Sequence, residues 1–143
     1  MKIAFYKGKG FIDKIICWWI KSPFSHSEIF FDELDITYTI DVNTVSHFEH
    51  KQYNSDWEFI DIPINSENLE KIYRFCLKEI NCKYDFMGIL FSIILFLSRE
   101  DKEKWFCSEL CVAALQEIGM LKYVVPHEVD PGELYKLIKE RLR

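Results

Sequence analysis

The sequence contains no glycine-rich loop of the kinds that cradle phosphate, and only five glycines in all, so it offers no nucleotide-binding signature. It has no repeat, no low-complexity tract and no linker. Its 143 residues therefore read as one domain, 1–143, of ordinary size and able to bury a core without staples. It has no excess of basic residues either. With a formal charge of −5, it lacks the clustered Lys and Arg that a broad nucleic-acid footprint requires. The longest apolar run, Phe86 to Leu97, has 12 residues. Crossing a bilayer takes roughly 20, so this run is expected to be a buried helix and the chain to have no integral membrane segment.

Cysteine is present but not in the patterns that staple or ligate. The five residues, Cys17, Cys76, Cys82, Cys107 and Cys111, are odd in number. No secretory signal is read in "MKIAFYKGKGF". A disulfide framework is thus not expected, and a reducing, cytoplasmic setting is. There is no CxxC pair and no His-x3-5-His spacing. A zinc site built from Cys107, Cys111 and His26 is the weaker reading of these residues, and no metal or organic cofactor is expected.

What is abundant is apolar and aromatic surface, at 49% and 16% of residues. In the first half, "KIAFY", "HSEIFF", "ITYTIDV" and "WEFIDI" read as short strands, the middle two as a hairpin. "FIDKIICWWIK" spaces Ile12, Ile15, Ile16 and Trp19 at helical intervals before Pro23 ends it. The second half reads as helices. One is capped by Ser66 with a stripe of Leu69, Ile72, Tyr73, Cys76 and Ile80, and a second, apolar one is capped by Asp85. A third runs from Cys107 towards Gly119, and a last one has Asp130 as cap and Pro131 in its first turn. The order predicts an α+β fold in which a small antiparallel sheet packs against helices.

Two fragments carry chemistry. In "WFCSELCVAAL", Cys107 opens a helix, where unpaired N–H groups and the positive end of the helix dipole favour thiolate and suit an oxyanion. Trp105 and Phe106 would seat that turn against the core, whereas Cys111, one turn deeper, reads as core. In "SPFSHSEIFF", His26 begins an apolar strand, where an imidazole held by its neighbours can act as a base. The other histidines differ: His47 and His50 fall in the polar "SHFEHKQYN", and His127 follows Pro126 in a loop. A carboxylate should orient the imidazole. Glu28 shares its strand face, and Asp41 in "TIDVN" could lie across the hairpin, with Asp41 the preferred orienter.

Taken in order, "SPFSHSEI", "TIDV", "KYDFMG" and "WFCSEL" resemble the circularly permuted branch of the NlpC-type papain-like hydrolases, in which the histidine strand precedes the cysteine helix. The lecithin:retinol acyltransferase-like proteins are a more distant likeness. The resemblance implies a papain-like fold, with Cys107 as nucleophile, His26 as base and Asp41 or Glu28 as third member. It implies that Tyr84 lines the site, with Trp105 as a second substrate contact, and that Glu109 supports it. The expected activity is a cysteine hydrolase or acyltransferase acting on an amide, ester or thioester in a peptide, lipid or other acyl-bearing substrate. The alternative is a binding module that keeps the fold without turnover.

Overall fold

The computed structural model describes residues 1–41, 44–81 and 107–143, with the backbone alone for Asp41. Within them the chain is α+β. In order come β1 (Lys2–Tyr6), α1 (Phe11–Ile20), β2 (His26–Phe31), β3 (Ile36–Asp41), β4 (Thr44–Glu49), β5 (Trp57–Asp61) and α2 (Ser66–Glu79). Then follow α3 (Cys107–Gln116), a 3-10 turn (Pro126–Glu128) and α4 (Pro131–Arg141). The five strands form one sheet in the order β4-β3-β2-β1-β5, antiparallel throughout.

Alternation along the strands gives the sheet two distinct faces. On the inner face Ile3, Phe5, Ile29, Phe31, Tyr38, Ile40, Val45 and Ile60 are buried and join Ile72 and Cys76 of α2, Leu110, Cys111 and Leu115 of α3, and Leu134 and Ile138 of α4 in one core. Helix α3 is central: it lies on β2 and β3 and touches both α2 and α4. Its first turn is anchored by Ser108, whose buried hydroxyl donates to the Val129 carbonyl just before α4. Gly132, in the first turn of α4, is where the chain after α1 crosses closely, since a β-carbon there would come within 2.1 Å of the Ser22 hydroxyl.

The opposite, outer face carries His26 and Glu28. Register places His26, Tyr6 and Trp57 side by side across β2, β1 and β5, and Glu28, Ala4 and Phe59 in the next row. Residues 50–56 fold back over this face. Tyr53 packs on Phe30, Trp57 and Phe59 and shares a 2.6 Å hydrogen bond with Thr37.

Three local features differ from the sequence reading. The polar "SHFEH" stretch is largely strand, because β4 is held at the sheet edge by its ladder to β3, from Ile36↔Glu49 to Asp41↔Thr44, and buries only Val45. Helix α2 is capped by Asn65, whose side chain accepts from the Asn68 N–H at 2.9 Å; Ser66 is already its first residue. Helix α1 forms over the expected residues but buries none of them. The apolar helix expected over Phe86 to Ser98, with its Asp85 cap, lies outside the described residues. Among the described residues no helix is long and apolar enough to cross a membrane.

Candidate active site

The start of β2 meets the start of α3. Cys107 is the first residue of α3 and is only half-buried. Its sulfur accepts the Ser27 backbone N–H at 3.2 Å and lies 3.9 Å from the Ser27 hydroxyl. The His26 imidazole is near enough to the same sulfur for each to shift the other's protonation, and it keeps 26% of its surface open to solvent. The two groups singled out on separate fragments therefore come together, and both keep some exposure to solvent.

The His26 Nε2 is held from its other side. It lies 2.7 Å from Thr39 Oγ1 and 3.5 Å from Glu28 Oε2. Glu28 has no exposed surface, and a buried carboxylate is tolerable only when paired. Lys51 supplies the pairing: its ammonium donates to Oε1 at 2.8 Å and to Oε2 at 2.6 Å while standing 4.5 Å above the Trp57 ring. Trp57 also sets its ring edge-to-face with His26 at 6.2 Å between centroids. Charges thus alternate along the line from Lys51 through Glu28 and His26 to Cys107.

Protonation follows from that alternation. Burial pulls the His26 pKa down, but the Cys107 sulfur and then Glu28 outweigh it and hold it at about 10. Burial likewise opposes a charged Cys107, yet His26 and the two Ser27 donors bring the thiol below its ordinary value. Glu28 is also opposed by burial and ends below its ordinary value through His26 and then Lys51. The remaining described cysteines go the other way. Burial raises Cys17, pushes Cys76 up to about 12 and lifts Cys111 well above its usual range. Among the described cysteines Cys107 alone has its pKa lowered, which favours its thiolate form over theirs.

The sequence reading and the geometry can be matched residue by residue. Cys107, His26 and Glu28 come together. Asp41 ends β3 opposite Thr44 of β4, and its side chain lies outside the described residues, as do Tyr84 and Trp105. Cys111 is buried in the core, with its thiol 3.8 Å from the Ser27 hydroxyl. Thr39 and Lys51 were not foreseen. Thr39 had a readable signal, being two residues from Asp41 and so on the same face of β3. Lys51 had none, because only the return of the 50–56 segment over the sheet brings it to Glu28. Among the described residues no group of three or more His, Cys, Asp and Glu is arranged to hold a metal ion.

Glu109 lies two residues after Cys107 in α3, 8% exposed, with its Oε2 unpartnered among the described residues. Burial pushes its pKa up to about 7. The folded chain therefore holds this proton more tightly than the unfolded chain, and Glu109 makes stability fall as pH rises from the ordinary carboxyl range through about 7. Glu109→Gln, which keeps the shape and removes the charge, is expected to gain stability over the unmodified protein at pH 8 but not at pH 5. Urea midpoints at the two pH values test this, and parallel shifts would contradict it.

A scan against family profiles and a search of curated proteins each found no match to this chain.

Proposed function

We propose that this protein is a cysteine hydrolase or acyltransferase of the papain-like kind, working through Cys107, His26 and Glu28. The observation that carries the reading is the Cys107 sulfur at the first residue of α3, accepting the Ser27 N–H, with the His26 imidazole lowering its pKa. A half-buried thiolate at a helix N-terminus beside an imidazolium is the activated nucleophile of acyl transfer.

The steps follow from the proton inventory. The thiolate attacks a carbonyl carbon, and its electron pair becomes the S–C bond while the carbonyl pair moves to oxygen. The backbone N–H groups of the first turn of α3, which have no acceptor within the helix, would be the donors to that oxyanion. Collapse expels the leaving amine, alcohol or thiol, which takes the proton from His26. The neutral imidazole then removes a proton from water or another acceptor, which attacks the acyl-enzyme and restores the thiolate–imidazolium pair. Glu28 and Thr39 keep Nε2 turned away from the sulfur throughout, the role a third group plays in catalytic triads.

The order of the parts, histidine strand early and cysteine helix late, supports assignment to the permuted NlpC-type branch. The four described cysteines are all free thiols, which suits a reducing compartment such as the cytoplasm. The acyl donor is a peptide, lipid or other acyl-bearing molecule.

Intact-mass analysis after exposure to a panel of activated esters, thioesters and amides tests the reading. The expected result is a single acyl adduct that maps to Cys107 and is absent from Cys107→Ala. Adducts spread over several cysteines, or none with any donor, would refute it.

A further inference from the structure

Helix α1 is almost wholly apolar yet has no buried residue. Phe11 is 80% exposed, Trp18 71% and Ile12 46%. A helix hydrophobic on most sides normally lies inside a protein, so this one needs a cover. Its charges say which. The single acid, Asp13, is turned inward: its Oδ1 accepts from the Ser25 hydroxyl at 2.9 Å and its Oδ2 from the Gly10 N–H at 3.1 Å. Lys14 lies between Phe11 and Trp18 on the exposed side, and Lys21, also exposed, closes the helix. The outward face of α1 is therefore aromatic, aliphatic and cationic with no carboxylate of its own, on a chain whose overall charge is −5, and only at the Lys21 end do Asp130 and Glu133 line the same cavity as that lysine.

We infer that α1 is a docking face for an anionic lipid surface, into which Phe11, Ile12 and Trp18 insert while Lys14 and Lys21 meet the headgroups. Exposed aromatic and aliphatic side chains flanked by lysines can enter the acyl boundary while the ammonium groups meet anionic headgroups. At 10 residues α1 is far too short to cross a bilayer, so it lies along the surface. A second copy of the chain fits less well. A two-fold contact through this face would set lysine against lysine between two molecules that are both acidic overall. The inference does not depend on the chemistry at Cys107.

The test uses the full chain, sedimented with phosphatidylcholine vesicles and with vesicles of mixed phosphatidylcholine and phosphatidylglycerol. Binding is expected to the mixed vesicles, with a blue shift of tryptophan emission, and to be at least about tenfold weaker to phosphatidylcholine alone. Phe11→Ser with Trp18→Ser, and separately Lys14→Glu with Lys21→Glu, should each weaken binding by about tenfold or more. Far-UV circular dichroism and the rate of Cys107 alkylation should stay unchanged in both, since these side chains are outside the core and the site. Cys107→Ala should bind vesicles like the unmodified protein, which separates this test from that of catalysis. No binding to the mixed vesicles would overturn the inference, as would binding indifferent to both sets of substitutions. A concentration-dependent dimer dissolved by Trp18→Ser, without vesicle binding, would assign the face to a second copy and also overturn it.

Discussion

Replacing His26 with alanine is expected to lower acyl transfer at Cys107 by about two to four orders of magnitude in kcat/KM. In the proposed mechanism the imidazole has three roles that alanine cannot fill. It holds the thiol below its ordinary pKa, and it would protonate the leaving group and activate the acceptor. The loss should be readable as chemistry and not as unfolding, for a reason visible in the geometry. Glu28, the fully buried neighbour, keeps both of its hydrogen bonds to Lys51 when His26 is removed. His26 itself is 26% exposed, so little core is lost. Urea unfolding of His26→Ala should therefore show only a modest change beside the kinetic collapse. A fall in rate of less than tenfold would remove His26 from the mechanism.

The second large effect is on stability. Lys51→Met takes away the ammonium that neutralises a carboxylate with no exposed surface, leaving Glu28 with His26 as its remaining charged partner. Breaking a buried pair from one side costs about 3–5 kcal/mol, because the other charge stays buried. The lower end is expected here, since the Lys51 side chain retains 26% of its exposure. The sign of the pH dependence follows from Glu28, whose folded pKa is lowered. Its contribution is complete above the unfolded value of 4.5 and is lost as pH falls through the folded one. The gap between Lys51→Met and the unmodified protein should thus be widest near neutrality and shrink on acidification. Lys51→Arg keeps the charge and its place over Trp57 and should recover most of the loss. Adding Glu28→Gln to Lys51→Met should recover part of it. A cost below about 1 kcal/mol, the range of surface pairs, would show that Glu28 is not buried as described.

What the sequence disclosed and what it hid divide along physical lines. Strands with one clearly apolar face, such as "KIAFY" and "HSEIFF", and helices with strong stripes or caps, such as the one begun by Asp130, were readable because a single period dominates them. Strand β4 was not, since its place at the sheet edge rests on backbone pairing to β3 and one inward valine. The thiol and imidazole were readable from local context, a helix start and a strand start, although nothing local says that residues 26 and 107 touch. The orienting group was harder. Strand alternation admits both Glu28 and Asp41, and the sequence reading prefers Asp41, whose side chain lies outside the described residues. Glu28 is held beside His26 by a lysine that a loop without regular structure brings over the sheet, a contact that no period encodes. Helix α1 shows the converse limit: its pattern is that of a core helix, and only the fold reveals that its face is left outside.

The most direct test of the account is the pH profile of Cys107 carboxamidomethylation by iodoacetamide, read by peptide mass spectrometry alongside the other cysteines. The account predicts that Cys107 reacts at a rate that holds well below pH 8, ahead of Cys17, Cys76 and Cys111, and that in His26→Ala its profile returns to that of an ordinary thiol. Identical profiles in the two proteins, with Cys107 no faster than Cys17, would contradict it.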